Sequence, residues 1–141
     1  MQDSRIDRLA AIITDYSTGV KRGDTVLITA SGEECQPLLK AVHRRCLQRG
    51  ARYVEIQFTF PEVSRDFYRY ATREQLAHFP DHRLAFLKTV DVSIGIAAEQ
   101  NSMVLAGVDQ AKVLGYQRLL RPLLDWRVNH TRWVICRYPT H

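Results

Sequence analysis

The stretch Val90–Asp109, VDVSIGIAAEQNSMVLAGVD, decides the fold. Val90, Val92, Ile94 and Ile96 alternate with Asp91, Ser93, Gly95 and Ala97, so a strand here carries one branched face and one small face. That pairing suits a sheet covered on both sides, because the branched face fills one core while the small face lets a helix come close. The strand runs out into a polar tip, Ala98, Glu99, Gln100 and Asn101, and a helix start follows at Asp109. Open α/β sheets bind ligands beyond the carboxyl ends of their strands, so this tip is the first place to look for function.

Upstream, Ile6, Leu9, Ala10, Ile13 and Ser17 recur at helical spacing, which predicts a helix over residues 4–18 with Asp3 or Ser4 as its cap and Gly19 as its stop. A turn at residues 21–24 leads into TVLITA, residues 25–30, whose consecutive Val26, Leu27 and Ile28 predict a buried strand. The next helix starts near Glu34, because Pro37 fits only in a first turn, and its stripe of Cys35, Leu38, Leu39, Val42 and Cys46 ends at Gly50. Residues 52–58 alternate Val54, Ile56 and Phe58 against Tyr53, Glu55 and Gln57, as an edge strand with one solvated face would.

Residues 61–89 read as helical and aromatic, with Thr72 and Gln75 spaced as a capping box and Pro80 and Asp81 opening a further helix. After the central strand, Asp109 caps a helix that Pro122 should kink or split. Arg132–Tyr138, with Trp133, Val134, Ile135 and Cys136 in a row, predicts a fully buried parallel strand. With right-handed crossovers, this order of elements predicts an α/β three-layer sandwich: a mostly parallel sheet of about four strands, strand order 2-1-3-4, flanked by helices. Its switch point lies between the first and third strands and brings Ser31 and Gly32 beside Glu99 and Asn101.

A chain of 141 residues fits one domain able to bury a core without a disulfide or a structural metal. Its 45% hydrophobic and 25% charged residues argue against disorder and low-complexity scaffolds. The net charge of +5 is spread over several elements with acids between, which is poor support for a nucleic-acid footprint. Cys35, Cys46 and Cys136 have no metal-ligand spacing and fall on apolar stripes, so a reduced, cytoplasmic protein with core thiols is expected. No apolar run is long enough to span a bilayer.

The chemistry sought in such a fold is sparse. The loop ASGEECQP, residues 30–37, offers one glycine where a dinucleotide turn has three, and Glu33 with Glu34 would repel a phosphate at the helix start. Pro80 separates His78 from His82, which breaks the single helical face that paired metal ligation needs, and neither HExxH nor GxSxG occurs. Glu99 and Asn101 have the groups to bind an amine or an amide, and equally the groups to close a turn or cap a helix.

Three segments in this order, DRLAAIITDYSTGVKRGDTVLI (residues 7–28), AEQNSMVLAGVD (98–109) and TRWVICRYPT (131–140), resemble the N-terminal domain of the aminopeptidase T family of metallopeptidases. Gln100 stands where that family often has an acid. The resemblance implies that residues 1–141 are a single α/β domain, the N-terminal one of two, with the catalytic C-terminal domain absent from this chain. It implies a cytoplasmic parent enzyme that removes N-terminal residues from peptides, uses two divalent metal ions and forms a homodimer. The metal-site residues of such enzymes lie in the second domain, so no catalytic or metal residue is carried over to any position here. Ser31, Glu99, Asn101 and Tyr138 are then expected to line or approach the interface with the catalytic domain. The alternative is a self-sufficient Rossmann-like small-molecule or nucleotide-binding module.

Overall fold

The computed structural model describes residues 3–98 and 105–138. Strands β1 (Thr25–Ser31), β2 (Tyr53–Thr59), β3 (Val92–Ala98) and β4 (Arg132–Tyr138) form one sheet in the order β2-β1-β3-β4, and every neighbouring pair is parallel. This is the expected order, with helices on both faces. On one face lie α1 (Ser4–Ala11) and α2 (Gln36–Gln48), and on the other α5 (Asp81–Leu87) and α7 (Arg121–His130).

The register explains the two cores. Val26, Ile28 and Ala30 of β1 stand beside Val92, Ile94 and Ile96 of β3, and these rows pack against Leu38, Val42 and Cys46 of α2 and Ala10 of α1. Ile94 is only 1% exposed, so the branched face of the central strand is the middle of the larger core. The smaller core joins Leu27 to Leu87, Val90 and Leu123. Val90 thus departs from the expected alternation: it precedes the strand, its amide donating to the Leu87 carbonyl (3.1 Å), and it packs on the opposite side from Val92.

Local chemistry sets the helix ends. The Asp3 carboxylate accepts the Arg5 amide at 2.9 Å and starts α1. The α-helix does not continue to Thr18; it widens into a π-helical turn over Ile12–Ser17. There the buried Thr14 and Thr18 hydroxyls donate to the Ala10 and Ile13 carbonyls, each at 2.9 Å, and compete with the regular ladder. Pro37 does sit in the first turn of α2, after a 3-10 turn at Glu33–Cys35. Gly50, just past that helix, has φ +94° and would place a Cβ 3.2 Å from the Arg22 Cα, so the turn requires glycine twice over.

The segment between β2 and β3 is α3 (Pro61–Tyr70), α4 (Arg73–Leu76) and α5. The Thr72–Gln75 capping box is formed, with the Gln75 amide 3.1 Å from the Thr72 hydroxyl and the Thr72 amide 2.7 Å from the Gln75 side chain. Phe67 and Tyr68 meet Tyr116 of α6 (Gln110–Leu119) at ring separations of 4.7 and 6.1 Å, so these aromatics bind the segment to the rest of the chain. Pro122 splits the downstream helical stretch into α6 and α7.

The two edge strands differ from expectation in one respect each. Ile56, on the intended core face of β2, is 41% exposed, because α2 leaves an open groove beside it. β4 is not a buried strand: it is the other edge, with Trp133 43% and Ile135 56% exposed. An apolar run alone does not distinguish a central strand from an edge strand whose outer face another surface can cover. Among the described residues, no helix is long and apolar enough to cross a membrane.

Candidate functional site

The two ends of the sheet are built differently. At the amino end a polar clasp ties the chain together. The Asp24 carboxylate accepts the Lys21 amide (2.9 Å) and the Arg132 guanidinium, whose Nε also donates to the Thr18 carbonyl (2.8 Å). The Asp91 carboxylate accepts the Thr25 amide (2.9 Å), and its carbonyl accepts the Arg132 amide (3.0 Å). These groups are used up in holding β1, β3 and β4 in place.

The carboxyl end is where the switch point falls, since β1 has β2 on one side and β3 on the other. Ser31 ends β1 and is in register with Thr59 of β2 and Ala97 of β3, which is itself in register with Arg137 of β4. The chain then turns at Gly32, whose φ is +101° and whose amide donates to the Thr59 carbonyl (3.1 Å). Cys35 follows, fully buried, its thiol 3.3 Å from the Ser31 carbonyl. Burial pushes that thiol's pKa up, with the nearby Glu34 adding to the shift, so it is a packing group rather than a nucleophile.

Tyr138 is the last described residue of β4 and pairs with Ala98. Its side chain is half-buried against the larger core, on the face of Val134 and Cys136. Strand alternation therefore sends Ser31 and Tyr138 to opposite faces of the sheet. The residues sharing Ser31's row are Thr59 of β2 and Arg137 of β4, a set that only the register between strands reveals. Glu99 and Asn101, with Gln100 between them, lie outside the described residues.

No group of three or more His, Cys, Asp and Glu side chains that could hold a metal ion occurs among the described residues. His78 and His82 are exposed, and His130 stacks on Trp126 at 3.9 Å. Cys46 is buried in the larger core with its pKa raised to about 12, and burial raises that of Cys136 as well. The donor set of the described residues does not fit a dimetal centre.

The model of one protein family, described as thermophilic metalloprotease (M29), matches residues 2–141. The chain belongs to that family. Among solved structures, wild-type AmpT from Thermus thermophilus superposes with a TM-score of 0.77 at 19% identity, over 98% of this chain and 36% of that one. At that identity the likeness establishes the fold, and this M29 chain spans about a third of the length of the solved neighbour. No curated protein matches the chain. The resemblance carried by the helix, tip and terminal strand segments thus agrees with the M29 family match over nearly the whole chain.

Proposed function

We propose that this chain is the noncatalytic N-terminal domain of an aminopeptidase that uses two divalent metal ions and removes N-terminal residues from peptides. The observation that carries the reading is a conjunction. The M29 match covers residues 2–141, yet the same residues correspond to 36% of the solved neighbour and their described part offers no metal-ligand cluster. An α/β unit of this kind supports, covers or gates a site built elsewhere. A metal pair held by a separate catalytic domain would polarise the scissile carbonyl and activate water, and this domain would join it in a homodimeric, cytoplasmic enzyme.

In this reading Ser31, Glu99, Asn101 and Tyr138 line or approach the junction with the catalytic domain. Support comes from the place of Ser31 and Tyr138 at the carboxyl end of the sheet, which they approach from different faces. The test compares the 141-residue chain with a polypeptide extended through the catalytic domain, using aminoacyl p-nitroanilides with added Co²⁺ or Zn²⁺. The extended form hydrolyses the substrate and the short chain does not. Hydrolysis by the short chain, or an extended form without activity at any divalent metal, overturns the proposal.

A further inference from the structure

Opposite the α1–α2 layer, α5 and α7 lean over β1 and β2 and leave a cavity of about 220 Å³ between them. Its polar lining is Thr29 of β1, Gln57 of β2, Arg83 of α5 and Arg127 of α7. Leu27, Phe86, Leu120 and Leu123 supply apolar wall. No aspartate or glutamate among the described residues lines it. The nearest acid along the same face of β2, Glu55, is held by the Tyr53 hydroxyl at 2.6 Å, and Asp125 of α7 is paired with Arg121.

Two guanidinium groups therefore share a small, partly apolar space with no described carboxylate between them. Arg127 is the more enclosed: its Nε is buried and finds no hydrogen-bond partner among the described residues. A buried N–H without an acceptor costs about 1–3 kcal/mol, more on a charged group, so a ligand that brings an acceptor to Arg127 gains by it. The proximity of Arg83 works in the same direction, since burial first and then the Arg83 charge lower the pKa of Arg127. An anion entering the cavity would relieve both.

We propose that this cavity is a binding site for a carboxylate carried on a short, branched apolar body. Arg127 and Arg83 supply fork-shaped donors to the two oxygens, Thr29 and Gln57 supply further donors, and the leucine and phenylalanine wall takes the hydrocarbon. A space of about 220 Å³ is large enough for a small branched acid such as 3-methylbutanoate. The same chemistry is presented by a free branched acid and by the C-terminal carboxylate of a short peptide. The site lies beneath the α5–α7 layer rather than at the strand tips, and it does not depend on the peptidase reading.

The test is NMR titration of the 141-residue chain, following the Arg side-chain Nε–H signals and the amides of Thr29 and Gln57. The probes are 3-methylbutanoate, 3-methylbutanamide, inorganic phosphate and the dipeptide glycyl-valine. The expected result is saturable shifts with 3-methylbutanoate at a Kd of about 1 mM, at least about tenfold weaker binding of the amide and of phosphate, and a Kd raised about tenfold in Arg127→Gln. Arg83→Gln changes an exposed side chain, keeps the fold, and is expected to weaken binding similarly. Tighter binding of glycyl-valine assigns the site to peptide termini, and tighter binding of 3-methylbutanoate assigns it to free acids. Absence of saturation with either carboxylate, equal binding of the amide or phosphate, or unchanged binding in Arg83→Gln overturns the proposal.

Discussion

Replacing Asp24 with asparagine isolates the clasp at the amino end of the sheet. Asp24 is 4% exposed and accepts the Arg132 guanidinium and the Lys21 amide. Asparagine keeps the shape and the acceptor for Lys21 but removes the charge facing Arg132. A hydrogen bond between charged groups contributes about 1.5–3 kcal/mol. The Arg132 side chain is 41% exposed, so water recovers part of that, and the expected net loss is about 1–2 kcal/mol. For a chain of this size, that lowers Tm by about 3–8 °C. Urea denaturation of Asp24→Asn, Arg132→Gln and the double variant provides the assay, with a coupling energy of about 1 kcal/mol expected between the two sites. A single variant within about 0.3 kcal/mol of the parent, or additive effects, would refute the claim that this contact anchors β4 to the start of β1.

Three further outcomes follow from the packing. Cys46, with its thiol pKa at about 12, should resist an aromatic disulfide reagent at pH 8 in the folded chain, and all three cysteines should react once urea unfolds it; rapid native labelling of Cys46 would contradict its burial. The Arg45 hydrogen bonds to Asp15 (2.6 and 3.1 Å) outweigh desolvation and hold that carboxyl below its ordinary value. Their contribution to stability is complete above the unfolded-state carboxylate pKa and is lost as pH falls through the depressed native value, so Asp15→Asn should flatten the acid limb of a stability–pH curve. Gly50→Ala should lower stability by about 1–2 kcal/mol in thermal melts, because φ +94° and the 3.2 Å approach to Arg22 are both unsuited to a Cβ, whereas Gly95→Ala, whose Cβ would meet its nearest neighbour at 3.5 Å, should cost less than half as much.

Much of the fold was legible because its signals are local. A helix cap needs a carboxylate or hydroxyl within three residues of the amide it serves, and Asp3, Thr72 and Asp109 all act where their spacing suggested. Pro37 and Pro122 mark first turns for an equally local reason, a missing N–H and a fixed φ. The strand order was legible from the alternation of strands and helices combined with the handedness of crossovers. The candidate site was legible only in part. Ser31 and Tyr138 do end β1 and β4, but which face each uses depends on register, as does the row that joins Ser31 to Thr59 and Arg137.

By itself, then, the sequence determined the elements, their order and the family, since these rest on short-range spacing and on segments read along one chain. Tertiary structure alone decided which apolar residues find cover. Val90 joins the opposite core from Val92, Ile56 stays open to a groove, and Trp133 and Ile135 lie on an edge. It also decided that Arg83 and Arg127, distant in sequence, share one cavity with no carboxylate among its described lining. Burial and electrostatics are sums over neighbours in space, and no spacing rule along the chain supplies those neighbours.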